Sequence, residues 1–166
     1  MADLRRFSVF AQFLTDRFDA RRVFDVAGGM GKLNEALTER GANVVTFDRR
    51  HRHLDVPYAQ RGFTLEEPCE ADLVVGMHPD GATRVIIDYA ALHHISFAVV
   101  PCCSDNGMSY NPWMRHLTEY ARARGFDEVG EQALAITGRA RVLYGCFSPA
   151  RQRRGGMEPP ALREPS

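Results

Sequence analysis

The stretch Arg22-Val23-Phe24-Asp25-Val26-Ala27-Gly28-Gly29-Met30-Gly31-Lys32, with Asn43-Val44-Val45-Thr46-Phe47-Asp48 after it, decides the fold. The first segment is a short apolar run that stops at glycines, the pattern of a buried strand entering a tight turn. From Lys32 onward, Leu33, Ala36 and Leu37 share one helical face, and Gly41 is a good residue on which to end that helix. The second segment is β-branched and aromatic, hence a strand, and it closes on Asp48. Strand, helix and strand in roughly 30 residues make a βαβ unit.

Working outward, Leu4, Phe7, Phe10, Ala11, Leu14 and Phe18 recur at helical spacing, which predicts an amphipathic helix over about 3–18. Beyond Asp48 comes a basic run, Arg49-Arg50-His51-Arg52-His53, then Pro57, with Phe63-Thr64-Leu65 as a candidate short strand. A buried strand, Asp72 to Met77, runs into His78-Pro79-Asp80-Gly81, where Asp80 is placed to cap a helix. Ser96 to Val100 is the next strand, closed by Pro101-Cys102-Cys103. After a polar loop, Asn111 is placed to cap a helix with Pro112 at its first position. Runs at 128–136 and 140–147 flank Thr137-Gly138-Arg139 as an antiparallel hairpin.

This alternation predicts a single-domain α/β fold over 1–147, a Rossmann-like, doubly wound, mostly parallel sheet with a C-terminal antiparallel hairpin. Residues 148–166, rich in Pro, Gly and Arg, are expected to be a disordered tail. The 166 residues are 45% hydrophobic, enough for one core, and 21 basic groups balance 21 acidic ones. Disorder, a disulfide scaffold and attachment to nucleic acid by net charge alone are thereby excluded. No run nears the ~18 apolar residues of a membrane span. Four cysteines without secreted-type spacing suit reduced thiols in a cytoplasm.

In open α/β sheets ligands bind beyond the carboxyl ends of the strands. The unusual residues gather at those ends: Asp25 to Gly31, Asp48, His78 to Gly81, and Pro101 to Asp105. Glycines let a ligand approach bare backbone, and a carboxylate such as Asp48 can accept bonds from both hydroxyls of a ribose. A P-loop is excluded because Leu33 stands in its Ser/Thr position. A dinucleotide fingerprint fails at Asn34, where its third glycine belongs.

Asp25-Val26-Ala27-Gly28-Gly29-Met30-Gly31 with Asp48 resembles the E/D-x-G-x-G-x-G loop and second-strand acid of class I S-adenosylmethionine-dependent methyltransferases. The chain departs from that pattern at Ala27, a small residue in the first glycine position. The resemblance covers roughly 20–147 and implies S-adenosylmethionine as cofactor, with Asp25, Ala27, Gly28, Gly29, Gly31, Asp48 and His78 as its site. Under it Asp25 would lie near the methionine amino group, Gly29 and Gly31 beneath the ligand, and Asp48 on the ribose. His78-Pro79-Asp80-Gly81 and Cys102-Cys103-Ser104-Asp105 are also similar, in half of each signature, to the H-x-C-G and C-C-H-H segments of tRNA acceptor-stem methyltransferases.

Three residues are catalytic candidates. His78 has the chemistry of a general base or of a ring bonded to backbone at a strand end, Asp80 of a helix cap or a second acid, and Cys102 of a nucleophile or a small buried hydrophobe. Cys102, Cys103 and His78 suit zinc poorly, since vicinal cysteines do not match C-x₂₋₄-C spacing, and no metal is expected. Arg49, Arg50 and Arg52 could contact phosphate or form a solvated face; this run, the arginine-rich tail and a bare fold without an inserted small-molecule lid make RNA the preferred acceptor. The alternatives are a small-molecule acceptor and a non-catalytic S-adenosylmethionine-binding module.

Overall fold

In the computed structural model, which describes residues 3–19, 21–102 and 107–152, helices and strands alternate along the chain. They are α1 (Arg6–Arg17), β1 (Arg22–Val26), α2 (Lys32–Thr38), β2 (Asn43–Phe47), β3 (Tyr58–Ala59), β4 (Leu73–Met77), α3 (Thr83–His93), β5 (Ser96–Val100), α4 (Tyr110–Arg122), β6 (Glu128–Ala133) and β7 (Arg141–Cys146). One sheet takes the order β3-β2-β1-β4-β5-β7-β6. β1 to β5 run parallel, whereas β7 lies antiparallel between β5 and β6. The expected single-domain α/β sheet with a terminal hairpin is therefore present, with β7 inserted inside the sheet. The order reverses between β2-β1 and β4-β5, which opens a crevice at the carboxyl ends of these strands.

Each sheet face has its own core. α1 and α2 cover one face, where Phe10, Leu14, Leu33 and Leu37 meet Val23, Val44 and Val75. α3 and α4 cover the other, where Ile86, Tyr89, Trp113 and Leu117 meet Phe24, Phe47 and Phe97. Period-two alternation explains the division along β1: Val23 faces the first core and Phe24 the second. At Gly76 a Cβ would come within 2.7 Å of Ile86 Cδ1 and 2.9 Å of Pro79 Cβ. A bare backbone there lets α3 lie close on β4, and this closeness sets the turn that carries His78.

The structure corrects several local expectations. Phe63-Thr64-Leu65 forms no strand, since Phe63 packs its ring edge-on against Phe47 (5.1 Å) and Tyr89 (4.7 Å). The third strand is the two-residue Tyr58–Ala59, directly after Pro57. Asp80 does not cap α3: a 3₁₀ turn, Asp80–Ala82, intervenes and Ala82 is the N-cap. Asn111 lies inside α4, whose N-cap is Ser109, and its Oδ1 accepts a bond from Arg141 instead. Residues 148–152 are a turn docked on the domain through Ser148 N donating to Asp127 (2.7 Å). The rest of the expected tail, with Cys103, Ser104 and Asp105, lies outside the described residues.

Candidate functional site

A cavity of about 280 Å³ opens at the carboxyl ends of β1, β2 and β4. The loop Ala27–Met30 forms one wall, with Lys32 of α2 beside it. Asp48 and Arg50 come from the end of β2, and Met77, His78 and Asp80 from the end of β4. Arg6 and Phe7 of α1 close the remaining side.

The glycine loop is held at several points. Ala27 N donates to Phe47 O (2.8 Å), and Gly29 N donates to Asp48 Oδ2 (2.8 Å). The Tyr58 hydroxyl donates to Gly29 O. These bonds hold a left-handed backbone at Ala27 (φ 54°), Gly29 (φ 59°) and Gly31 (φ 86°). For Ala27 that conformation costs about 1–2 kcal/mol. His78 (φ 52°) and Asp80 (φ 42°) are left-handed too. Such residues persist where surrounding contacts over-determine them, commonly at functional sites.

Asp25 lies beneath the loop and does not line the cavity. It is fully buried, and its Oδ2 accepts from Thr46 Oγ1 (2.9 Å), which itself accepts from Asn34 Nδ2 (3.1 Å). Its Oδ1 is buried without a hydrogen-bond partner among the described residues. Burial pushes this carboxyl up to about 7, against the Thr46 bond that lowers it and with the nearby Asp48 charge that raises it. A Cβ on Gly28 would overlap Asp25 Oδ2, so the loop backbone rests directly on the carboxyl. Gly31 likewise sits off the cavity as the N-cap of α2, where a Cβ would press on Val56 Cγ2 at 2.8 Å.

Asp48 is on the wall, its Oδ1 accepting from Arg50 N (3.0 Å) while Oδ2 holds Gly29. Each oxygen keeps a further lone pair for a ligand hydroxyl. His78 N donates to Val100 O (2.9 Å), tying the turn to β5, and its Nε2 lies 3.4 Å from Arg139 O. Burial holds the imidazole below its ordinary 6.5, so the ring is neutral at neutral pH and able to take a proton. Asp80 is exposed on the cavity rim. Cys102 follows β5, away from the cavity lining, and its carbonyl accepts from Arg139 Nη1. Among the described residues no His, Cys, Asp and Glu cluster could hold a metal ion.

Of the basic run, Arg50 alone reaches the cavity; Arg49 packs beside Gly62 and Arg52 is exposed. Arg6, Phe7, Met30, Lys32 and Met77 were not anticipated as site residues. The helical period of α1 marks its apolar face, and it carries no sign that the first turn overhangs a strand end. Among the described residues no helix is long and apolar enough to cross a membrane.

The sequence matches no family model and no curated protein. Solved structures do match. Magnesium protoporphyrin IX methyltransferase from Synechocystis PCC 6803, with bound S-adenosylmethionine, has a TM-score of 0.62 at 14% identity, over 86% of this chain and 78% of that one. The S-adenosylmethionine-dependent methyltransferase SibL gives 0.61 at 16% identity, over 85% of this chain and 54% of that one. Human N-acetylserotonin methyltransferase gives 0.56 at 14% identity, over 87% and 52%. The chain thus spans about half the length of the latter two. Its fold is that of the class I S-adenosylmethionine-dependent methyltransferases.

Proposed function

We propose that this chain transfers a methyl group from S-adenosylmethionine to an acceptor that approaches from the His78 side of the cavity. One observation carries the reading: the bare Ala27–Met30 backbone, the Asp48 carboxylate and the His78 imidazole share one cavity at the strand ends. The fold neighbours, named for this chemistry, support it.

The residues present fit the cofactor. A Cβ on Gly29 would meet nothing nearer than Arg50 at 3.9 Å, so the wall is open where an adenosyl group would lie. Asp48 would hold the ribose hydroxyls with its remaining lone pairs. Lys32 and Arg50 would attract the methionine carboxylate. Asp25 would act through the loop backbone it supports, since it has no exposed atom.

When bound, the cofactor supplies an electrophilic sulfonium methyl. The protein aligns the acceptor with that methyl, and His78 removes the acceptor proton where one must leave. Asp80 sits on the rim as a second acid, and Cys102 takes no part.

On the acceptor, the neighbours' names, N-acetylserotonin and magnesium protoporphyrin IX, favour a small organic molecule. RNA is the second reading, supported by the exposed Arg49, Arg50 and Arg52, of which Arg50 reaches the cavity.

Methyl-labelled S-adenosylmethionine incubated with small-molecule and RNA fractions separates these readings by where the label lands. Binding without transfer to any fraction would leave a non-catalytic module. Calorimetry with S-adenosylhomocysteine tests the pocket itself. Asp48→Ala should weaken binding by about 1.5–3 kcal/mol, the scale of hydrogen bonds to a charged group, and Gly29→Val should abolish it. Unchanged affinity in both variants would remove the cofactor from this cavity.

A further inference from the structure

Arg6 stands out from its neighbours in charge pairing. Arg5, one residue before it, pairs with Asp3 at 2.9 Å, and Arg17 at the far end of α1 pairs with Glu128 at 2.7 Å. Arg6 is half-buried, lies 4.7 Å over the Phe7 ring, and makes no ion pair among the described residues. It lines the cavity, and its charge reaches the His78 ring. A partly desolvated guanidinium without a counter-ion is unfavourable, in a chain whose 21 acidic residues could have supplied one.

The charge balance of the cavity sharpens the point. Arg6, Lys32 and Arg50 face two carboxylates, Asp48 and Asp80, and both Asp48 oxygens already accept backbone N–H groups. S-adenosylmethionine carries a sulfonium, an ammonium and a carboxylate, so it adds net positive charge. On the reading above its carboxylate would sit on Lys32 and Arg50, beside the glycine loop. Arg6, across the cavity next to His78, is left over. A neutral acceptor would bury it further without neutralising it.

We propose that the methyl acceptor is a small organic anion whose carboxylate or phosphate docks on Arg6 while its nucleophilic atom faces His78. This rests on the methyltransferase reading and narrows it. In the transfer the acceptor lone pair forms the new bond to the methyl carbon. The carbon–sulfur pair stays on sulfur, giving S-adenosylhomocysteine, and the acceptor proton passes to the His78 ring. An arginine fork offers two parallel N–H donors to such a group. An RNA backbone would rely on Arg49 and Arg52, which lie off the cavity.

The test titrates benzoate and phenyl phosphate into the full chain saturated with S-adenosylhomocysteine, followed by NMR. Saturable shifts at Phe7 and His78 are expected, weakened at least about tenfold in Arg6→Gln and only partly in Arg6→Lys. The double variant Arg49→Ala/Arg52→Ala should bind as the wild type does. Whichever probe binds tighter distinguishes a carboxylate from a phosphate. S-adenosylhomocysteine affinity in Arg6→Gln should stay within about threefold, which also reports that the variant is folded. Equal probe binding in wild type and Arg6→Gln, or none in the wild type, overturns the anionic acceptor while the cofactor site stands. Displacement of both probes by a short oligoribonucleotide that needs Arg49 and Arg52 overturns it in favour of RNA. Failure of the wild type to bind S-adenosylhomocysteine overturns the cofactor reading and this one with it.

Discussion

The two ends of the sheet make opposite uses of charge and backbone. At the amino ends of the strands a hollow of about 480 Å³ is bounded by Leu14, Val23, Leu37 and Leu73. It is larger than the cavity at the carboxyl ends, yet its polar groups are largely committed. Arg17 pairs with Glu128, and Arg40 donates to the carbonyls of Ala36 and Ser8. Next to it Arg22 pairs with Asp72 at 3.0 Å. The carboxyl-end cavity, of about 280 Å³, has left-handed Ala27, His78 and Asp80 on its wall, cations that make no ion pair among the described residues, and a buried carboxyl beneath. Volume alone therefore does not mark a site. Strained backbone and uncommitted charge converging on one cavity do.

The strongest way to break this contrast is to remove His78. His78→Ala should lower single-turnover methyl transfer about 10²–10⁴-fold, the range for a general base, with S-adenosylhomocysteine affinity nearly unchanged. Its counterpart at the other end, His94, is the left-handed cap of α3 and packs 4.7 Å from Phe147. His94→Ala should leave turnover alone, and equal losses in the two variants would erase the distinction.

Next in size is the pH response of Asp25. Its carboxyl holds a proton up to about 7 in the folded chain and releases it near 3.8 when unfolded. The folded state therefore binds more protons between those values, and stability falls as pH rises through that window. Asp25 should account for a loss on the order of 2–4 kcal/mol between pH 4.5 and pH 7.5, read as the difference in urea unfolding between the wild type and Asp25→Asn. Glu128, paired at the opposite end, is held below its ordinary value by Arg17. Its contribution is present above that value and is lost as pH falls through the lowered one, so the two ends respond in separate windows. His78, held below its ordinary value, gains stability as pH rises through the same range, so the readout is a difference: equal slopes in the wild type and Asp25→Asn would show that Asp25 is not titrating from a buried state.

Gly28→Ala forces a methyl onto the Asp25 carboxyl and should destabilise the fold by about 1–3 kcal/mol, as overpacking does. Gly41, near the amino ends, has open space around it and a left-handed φ of 88°. Gly41→Ala should cost about 1 kcal/mol from backbone strain alone. The smallest effect belongs to Arg22→Ala: its pair with Asp72 is half-exposed and should contribute at most about 1 kcal/mol. A larger loss there would mean that the amino-end ion pairs matter more than solvent screening allows.

Legibility in the sequence followed the same division. Asp25 to Gly31, Asp48 and His78 are readable because a strand, a turn and an acid at fixed spacing constrain local backbone. What they do across space is less readable. Asp25 looks in sequence like a ligand-facing acid, whereas the close seat of Gly28 puts it under the loop. Arg6 is invisible to periodicity because it flanks the apolar stripe, and only the packing of α1 on α2 brings it over the strand ends. Phe63 has the composition of a strand, but aromatic burial against Phe47 and Tyr89 satisfied it without pairing. The true third strand hides behind Pro57, and being two residues long it has too few positions to show a period.

The placement of β7 sets an order of assembly. β6 bonds to β7, and β7 is the strand that joins it to β5. On a ribosome the chain emerges from its amino end, so β1, β2, β4 and β5 can pair while β6 still has no seat. α1 waits as well: its Phe13 ring packs 5.9 Å from Tyr144 of β7. An early helix, α1, is thus finished by a strand made much later, β7. Until residues 141–146 arrive, β5 is an open edge able to pair with another nascent chain. Synthesis halted just short of β7 should therefore leave a pre-formed cavity on a sticky, half-closed sheet, and chaperone demand should peak over that brief interval.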